Sequence, residues 1–325
     1  MGDRQDNGKV VLPEEWQAVA VTALLLAMPS IWPGPMGWTQ GFIPIPISYY
    51  LVKHGTERAN RLLTSAVLIG GIAAALVGSL PAFAFSCTMV PVGIIIGNSL
   101  RSETLPTITG LRATGLLLLL WVAFWSTYGT LTQTHPYQEM LAGMDKSLSS
   151  AGELYQSDTS LSLTDKENIQ NTIQILRDFL REIAPALLAI TAIATVWFNM
   201  LMGQWLINRS LPLRATWPPF SEWRLPEPLI WVVIISGIAT ILPVAETNTI
   251  GLNVLLASGA LYFFQGIAVL AKLFAKWSVP RPMQAFLFAI AILQGAGFVV
   301  LAALGVADIW VNFGAPRSDK DPAVD

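Results

Sequence analysis

The stretch GWTQGFIPIPISYYLVKHG, residues 37–55, is free of charge as far as Lys53 and reads as a segment at membrane depth. Pro44 and Pro46 stand near its middle. In a regular helix these two lack the N–H groups that would bond the carbonyls of Gln40 and Phe42. The residue before a proline is steered away from helical angles, so Ile43 and Ile45 are poor helix positions. The spacing predicts an extended or irregular 38–45, with a helix starting near Pro46, where a missing N–H costs nothing. Irregular backbone in lipid survives only when it is buried in protein or lines a polar cavity. Broken helices of this kind form substrate sites in many transporters.

The rest of the chain supports the membrane setting. Of 325 residues, 53% are hydrophobic and only 12% charged, against about 25% charged in a soluble domain. No Asp, Glu, Lys or Arg occurs in 16–52, 62–100, 113–138, 183–208, 229–245, 247–271 or 282–307. A bilayer core of about 30 Å needs roughly 20 apolar residues as helix. The expected fold is therefore all-α, a polytopic transmembrane bundle of about nine spans: 16–33, 38–53, 62–80, 83–100, 111–131, 183–207, 228–245, 249–272 and 283–307. A cytoplasmic tail 1–15 precedes a first membrane bundle 16–131. A helical connection 132–182 leads to a second bundle 183–313 and a C-terminal tail 314–325.

Lys53, Arg58, Arg61, Arg101, Arg112, Arg209, Arg214, Arg224, Lys272, Lys276 and Arg281 all fall in alternate connections, and the intervening short ones carry none. By the positive-inside tendency this places the N-terminus in the cytoplasm and 132–182 outside. Within 132–182, Thr164-Asp-Lys-Glu167 has the form of a capping box. Behind it Ile169, Ile173, Leu176, Leu180 and Ile183 recur on one helical face, so a helix is expected to run on into the sixth span, either as a lid or docking helix or simply lying against its neighbours.

The 19 basic and 21 acidic residues nearly balance, which leaves no basic field for nucleic acid. Cys87 is alone, and His54 and His135 have no Cys companions at ligand spacing, so no metal and no cofactor is expected. Walker, zincin and nucleophile-elbow motifs are absent, and no enzymatic activity is expected. Buried charge of the kind that drives proton carriers is also scarce; Asp308 lies near the end of the last span. Uncharged polar residues remain. Gln40, Pro44, Pro46, Ser48 and Tyr49, with Asn199, Asn253 and Gln265, are the candidate lining of a site for a neutral or zwitterionic small solute. Gly70, Ala74 and Gly78, like Gly93 and Gly97, fit close helix packing. In WPPFSEWRLPEP, residues 217–228, Trp217, Phe220, Trp223 and Arg224 read as membrane-anchoring or partner-docking.

PIPISYYLVKHG, GIIIGNSLRS, PPFSEWRLPEPLIW, NVLLASGALYFFQGIAVLAKLF and LGVADIWVNF, in that order, resemble the YybS-like family of bacterial polytopic membrane proteins, whose domain of unknown function is DUF2232. The resemblance covers nearly all of 15–313 and implies a bacterial inner-membrane protein. The first five spans also look like substrate-binding subunits of energy-coupling-factor transporters. Ala23 and Ala27 match the small-residue spacing by which those subunits meet a membrane partner. That likeness implies a solute-binding transport component or sensor that borrows an ATPase module from other subunits. The competing expectation is a structural or assembly protein of the envelope, and an integral-membrane enzyme acting on lipid ranks third.

Overall fold

The computed structural model describes residues 14–77, 79–102, 104–158, 160–211, 216–293, 295–311 and 313. The tails, Gly78, Arg214 and Gln294 lie outside the described residues. The order of helices is α1 (Glu14–Ile31), α2 (Pro33–Met36), a 3-10 segment Gly37–Phe42, α3 (Pro44–His54), α4 (Thr56–Val77), α5 (Leu80–Cys87) and α6 (Val90–Ser99). Then follow α7 (Pro106–Thr132), α8 (Pro136–Ser157), α9 (Leu163–Ser210), two 3-10 turns (Phe220–Glu222 and Glu227–Leu229), α10 (Ile230–Ile241), α11 (Ala245–Lys276), α12 (Arg281–Leu293) and α13 (Gly295–Val311). The described residues contain no strand, so the expected all-α class holds.

Nine full spans are not seen. Among the described residues, five helical stretches are long and apolar enough to cross a bilayer: Thr56–Val77, Leu80–Ser99 (α5 and α6 together), Pro106–Thr132, Leu163–Ser210 and Ala245–Lys276. A sixth candidate is the pair around 294, bent by 108°. The expected spans at 38–53 and 228–245 fall on short helices, α3 with 11 residues and α10 with 12. At 1.5 Å per residue these rise only about 17–18 Å, well short of a hydrocarbon core.

The chain packs as two compact units, one of Met1–Leu105 with Phe198–Trp217 and one of Pro106–Trp197 with Pro218–Asp325. These units divide the chain at other points than the two expected bundles. In the first, Ala18, Val19, Thr22, Ala23, Leu26 and Ala27 form the buried stripe of α1. Ala59, Ala66, Gly70 and Ala74 form that of α4. A Cβ added at Gly70 would lie 3.3 Å from the Ala23 carbonyl oxygen and 3.4 Å from Leu26 Cβ, so the backbones nearly touch. Gly93 and Gly97 of α6 do the same for α3. A Cβ there would meet Ile47 Cβ at 2.8 Å and Leu51 Cβ at 2.9 Å. Small residues substitute for the weak apolar drive between helices in lipid.

In the second unit α11 packs on α10 and α13, and Gly110 of α7 admits the Trp197 ring, 2.7 Å from where a Cβ would stand. The helix expected to run from the polar connection into the sixth span is continuous over 48 residues as α9. Its cap, however, lies two residues before the expected box. Ser162 Oγ accepts the Asp165 N–H at 3.1 Å and donates to the Asp165 carboxylate at 2.6 Å. SLTD and TDKE both fit the pattern; the earlier one takes the helix start. Ahead of it, α8 supplies a partner helix that periodicity had not picked out. Gly152 of α8 receives Ile173, and Asp145 pairs with Arg177 and Arg181.

Candidate functional site

The proline-rich segment is broken, but not in the expected way. Residues 37–42 coil as a 3-10 helix, and α3 begins at Pro44 instead of Pro46. Ile43 keeps helical angles, φ −53° and ψ −40°, in spite of the following proline. The reason lies in where the hydrogen bonds go. The Gln40 carbonyl, which Pro44 cannot serve, accepts the Ile43 N–H at 3.2 Å through the tighter i+3 pattern. Pro44 and Pro46 then occupy the first turn of α3, where N–H groups have no intrahelical acceptor anyway. The Gly41 carbonyl accepts from Asn199 Nδ2 at 2.6 Å. Asn199 is fully buried on α9, within the same unit. Ser48 is also fully buried; it donates to the Ile45 carbonyl at 2.9 Å and rests against Gly203.

Beside this segment an open groove of about 430 Å³ runs between Val21 and Leu25 of α1, Phe42, Ile45, Pro46, Tyr49 and Tyr50, and Leu206 of α9. That volume is within the roughly 300–1,000 Å³ of ligand sites. The lining is apolar apart from two tyrosine hydroxyls. Phe42 is fixed by edge contacts with Trp38 at 5.5 Å and Phe198 at 5.4 Å. Of the candidate solute residues, Pro46 and Tyr49 line the groove. Pro44 is buried at the α6 contact, Gln40 is half-buried, and Asn199 holds the wall.

Asn253 and Gln265 belong to the second unit, and each serves irregular backbone there. Pro185 interrupts α9, and the Asn253 amide fits into the ladder one residue on. Its Oδ1 accepts the Ala186 N–H at 2.7 Å, and its Nδ2 donates to the Glu182 carbonyl at 2.9 Å, two groups that bond each other in an uninterrupted helix. Gln265 Oε1 accepts the Leu225 N–H at 3.1 Å, while its Nε2 reaches Asp308 at 3.4 Å. Asp308 is only 4% exposed; it also accepts the Phe313 N–H at 3.1 Å and faces Arg224 Nε at 3.6 Å. Sequence reading set Asp308 aside as a span-end residue, yet it is the anchor of this cluster. A carboxylate in an apolar helix is costly enough to mark a specific partner, and that signal was available.

The docking candidates turn inward. Ala23 packs with Val19, Ala66 and Leu62, and Ala27 is buried. Trp217 is buried in the first unit, its Nε1 donating to Ser99 Oγ at 3.2 Å, with its carbonyl taken by Gln204 at 3.1 Å. In the second unit Trp223 is buried, donates to the Pro218 carbonyl at 3.0 Å and meets Phe220 edge-on at 5.3 Å. Arg224 alone of the four keeps a largely open side chain while facing Asp308.

Apolar helices of spanning length, close glycine crossings and a groove at a proline break define a multi-pass helical membrane protein. The chain belongs to the family described as predicted membrane protein (DUF2232), whose model matches residues 20–309. No curated protein and no solved structure matches it.

Proposed function

We propose that this protein binds a small neutral or zwitterionic molecule with a mostly apolar body in the groove against 42–50. It acts without chemistry of its own, as a transport component or sensor. The observation that carries this reading is the groove of about 430 Å³, placed where the helix is interrupted. The groove borders Phe42, Ile45 and Pro46, and irregular backbone at membrane depth is tolerated where it is buried in protein or lines a cavity. The setting we infer is the bacterial cytoplasmic membrane, with the N-terminus and the Lys- and Arg-bearing connections inside. The likeness of the first five spans to energy-coupling-factor binding subunits supports an ATPase borrowed from partner subunits, while the YybS-like resemblance carries no assigned function. Burial of Ala23 and Ala27 moves any such contact away from that pair.

One observation favours the envelope-assembly reading. Asn199, Asn253 and Gln265 each satisfy the chain's own backbone, so the interior amides hold the fold in shape. Mass spectrometry of molecules retained by the detergent-purified protein separates the readings. Solute binding requires a species that leaves when Leu206→Trp fills the groove. A chain that retains nothing above detergent background, and co-purifies only with envelope proteins, supports assembly instead.

A further inference from the structure

The hairpin made by α8 and the first part of α9 has apolar stripes but no core. On α8, Tyr137, Leu141, Met144, Leu148, Ala151 and Tyr155 recur at alternating steps of four and three. On α9, Ile169, Ile173, Leu176, Leu180 and Ile183 do the same. Such a row is the seam of a helix in a coiled coil or bundle. A stripe of this kind has to be buried against another element, yet among the described residues of 136–182 only Gly152 is buried. Tyr155 is 51% exposed and Leu176 40%, with Phe179 at the edge of the seam 47% exposed.

The two helices meet along a different line. Gly152 stands beside Gln170, Asp145 pairs with Arg177 and Arg181, Ser149 accepts from Arg177 at 3.0 Å, and Lys166 donates to the Gln156 carbonyl at 2.7 Å. At 3.6 residues per turn, this polar row stands roughly a quarter turn from the seam on each helix. The offset has the same sense on both, and in an antiparallel pair that turns both seams to one side of the hairpin. A single pair of helices cannot cover a side so placed. A second pair set against it can, and the result is a four-helix bundle.

We propose that a second copy of this chain covers that side, two α8–α9 hairpins closing into one bundle. No seam position carries a charge, so like meets like without repulsion. Helix α9 continues unbroken from the hairpin into the charge-free run 183–208. Every copy in the membrane therefore holds its hairpin upright at the same height, with the seam facing sideways and not onto the lipid surface. A twofold axis along the membrane normal then sets α8 beside the antiparallel α9 of the second copy. The area suffices. With 22 residues in α8, a rise of 1.5 Å per residue and helices about 10 Å apart, each copy offers a face of about 33 by 20 Å. Two such faces amount to about 1,300 Å², within the range of stable interfaces.

Ala151 and Thr172 lie at one level, because Gly152 is beside Gln170 and Gln156 beside Lys166, and both sit on the seam edge turned from the polar row. The test begins in isolated membranes with two co-expressed, differently tagged chains, both carrying Cys87→Ala. One has Ala151→Cys and the other Thr172→Cys. Mild oxidation is expected to join the two tags by a disulfide. Ser150→Cys with Asn171→Cys, at the same level on the opposite side, is expected to stay unjoined. Native mass spectrometry of the full chain in mild detergent is expected to show a dimer. Leu176→Glu, which puts a charge into the seam at a side chain already 40% exposed, weakens that dimer about tenfold or more. Asn171→Glu makes the same change of charge at an exposed position on the far side and leaves the dimer intact. A monomer with no cross-link at either pair overturns the proposal. So does a dimer that survives Leu176→Glu, equal joining of both cysteine pairs, or a different protein trapped by Thr172→Cys in place of the second copy.

Discussion

Replacing Asn199 by Leu isolates what one buried amide does for the broken segment. Leu keeps the branching and heavy-atom count of Asn, so no cavity is made, but the Gly41 carbonyl loses the donor now 2.6 Å away. Asn199 is 0% exposed, so water is not at hand to replace it. A buried acceptor stripped of its partner costs about 1–3 kcal/mol. With a shift of about 2–4 °C per kcal/mol for larger domains, Asn199→Leu should lower Tm by roughly 2–12 °C. Tryptophan fluorescence during heating in detergent measures this. Gly41→Ala is the companion variant, because an added Cβ there has nothing within 4 Å; it should change Tm by no more than about 2 °C, in keeping with a near-neutral substitution of within about 0.5 kcal/mol. Equal melting of Asn199→Leu and wild type, or a larger loss in Gly41→Ala, would refute the account of how the 3-10 segment is held.

Gly93→Ala should cost about 1–3 kcal/mol, the range for overpacking, since its Cβ would come within 2.8 Å of Ile47. Gly237→Ala and Gly259→Ala, with open space around them, should melt like wild type in the same assay. Asp308→Asn keeps one acceptor oxygen where Gln265 and the Phe313 N–H now use two, so one of these donors loses its partner together with the charge facing a half-open Arg224, and the change should cost about 1–3 kcal/mol. Asp308→Ala leaves two donors without an acceptor and should cost about 1–3 kcal/mol more, read by urea or thermal unfolding. Hydrogen bonds from the Ser160 hydroxyl and amide hold the exposed Asp158 carboxyl below its ordinary pKa. Lowered in the fold, that group supports the α8–α9 turn at neutral pH and loses its contribution as pH falls through the folded value. The protection of the Ser160 amide, its exchange relative to the intrinsic rate at the same pH, should accordingly be present at neutral pH and fall away below the usual carboxylate range.

The all-α class was legible because it depends on local quantities, the spacing between charges and the length of apolar runs; the count of nine spans was not, since 38–53 and 228–245 fall on helices of 11 and 12 residues. The proline break was legible too, since a missing N–H is a property of the residue itself. Its conformation was not. Steric preference before proline pointed to extended backbone, while the i+3 bond from Ile43 to Gln40 and the tertiary bond from Asn199 favour coiling. That second bond joins residues 158 apart in sequence, beyond the reach of any window. The same holds for Asn253, recognisable as interior polarity but not as the amide that fits in after Pro185. The capping box failed on a smaller scale, as two overlapping candidates stood within two residues. Asp308 could have been weighed more heavily; its cost in lipid was known from composition alone.

The 158-residue gap between Gly41 and Asn199 also has a consequence in time. A ribosome adds about 5–20 residues per second, so the early segment waits roughly 8–30 seconds before its amide donor has been synthesised. Through that interval a bare carbonyl must be tolerated by translocon, lipid or an insertion factor. Biogenesis of this chain is therefore most exposed at its beginning, and slowing translation between the two positions should lower yield more than slowing it afterwards.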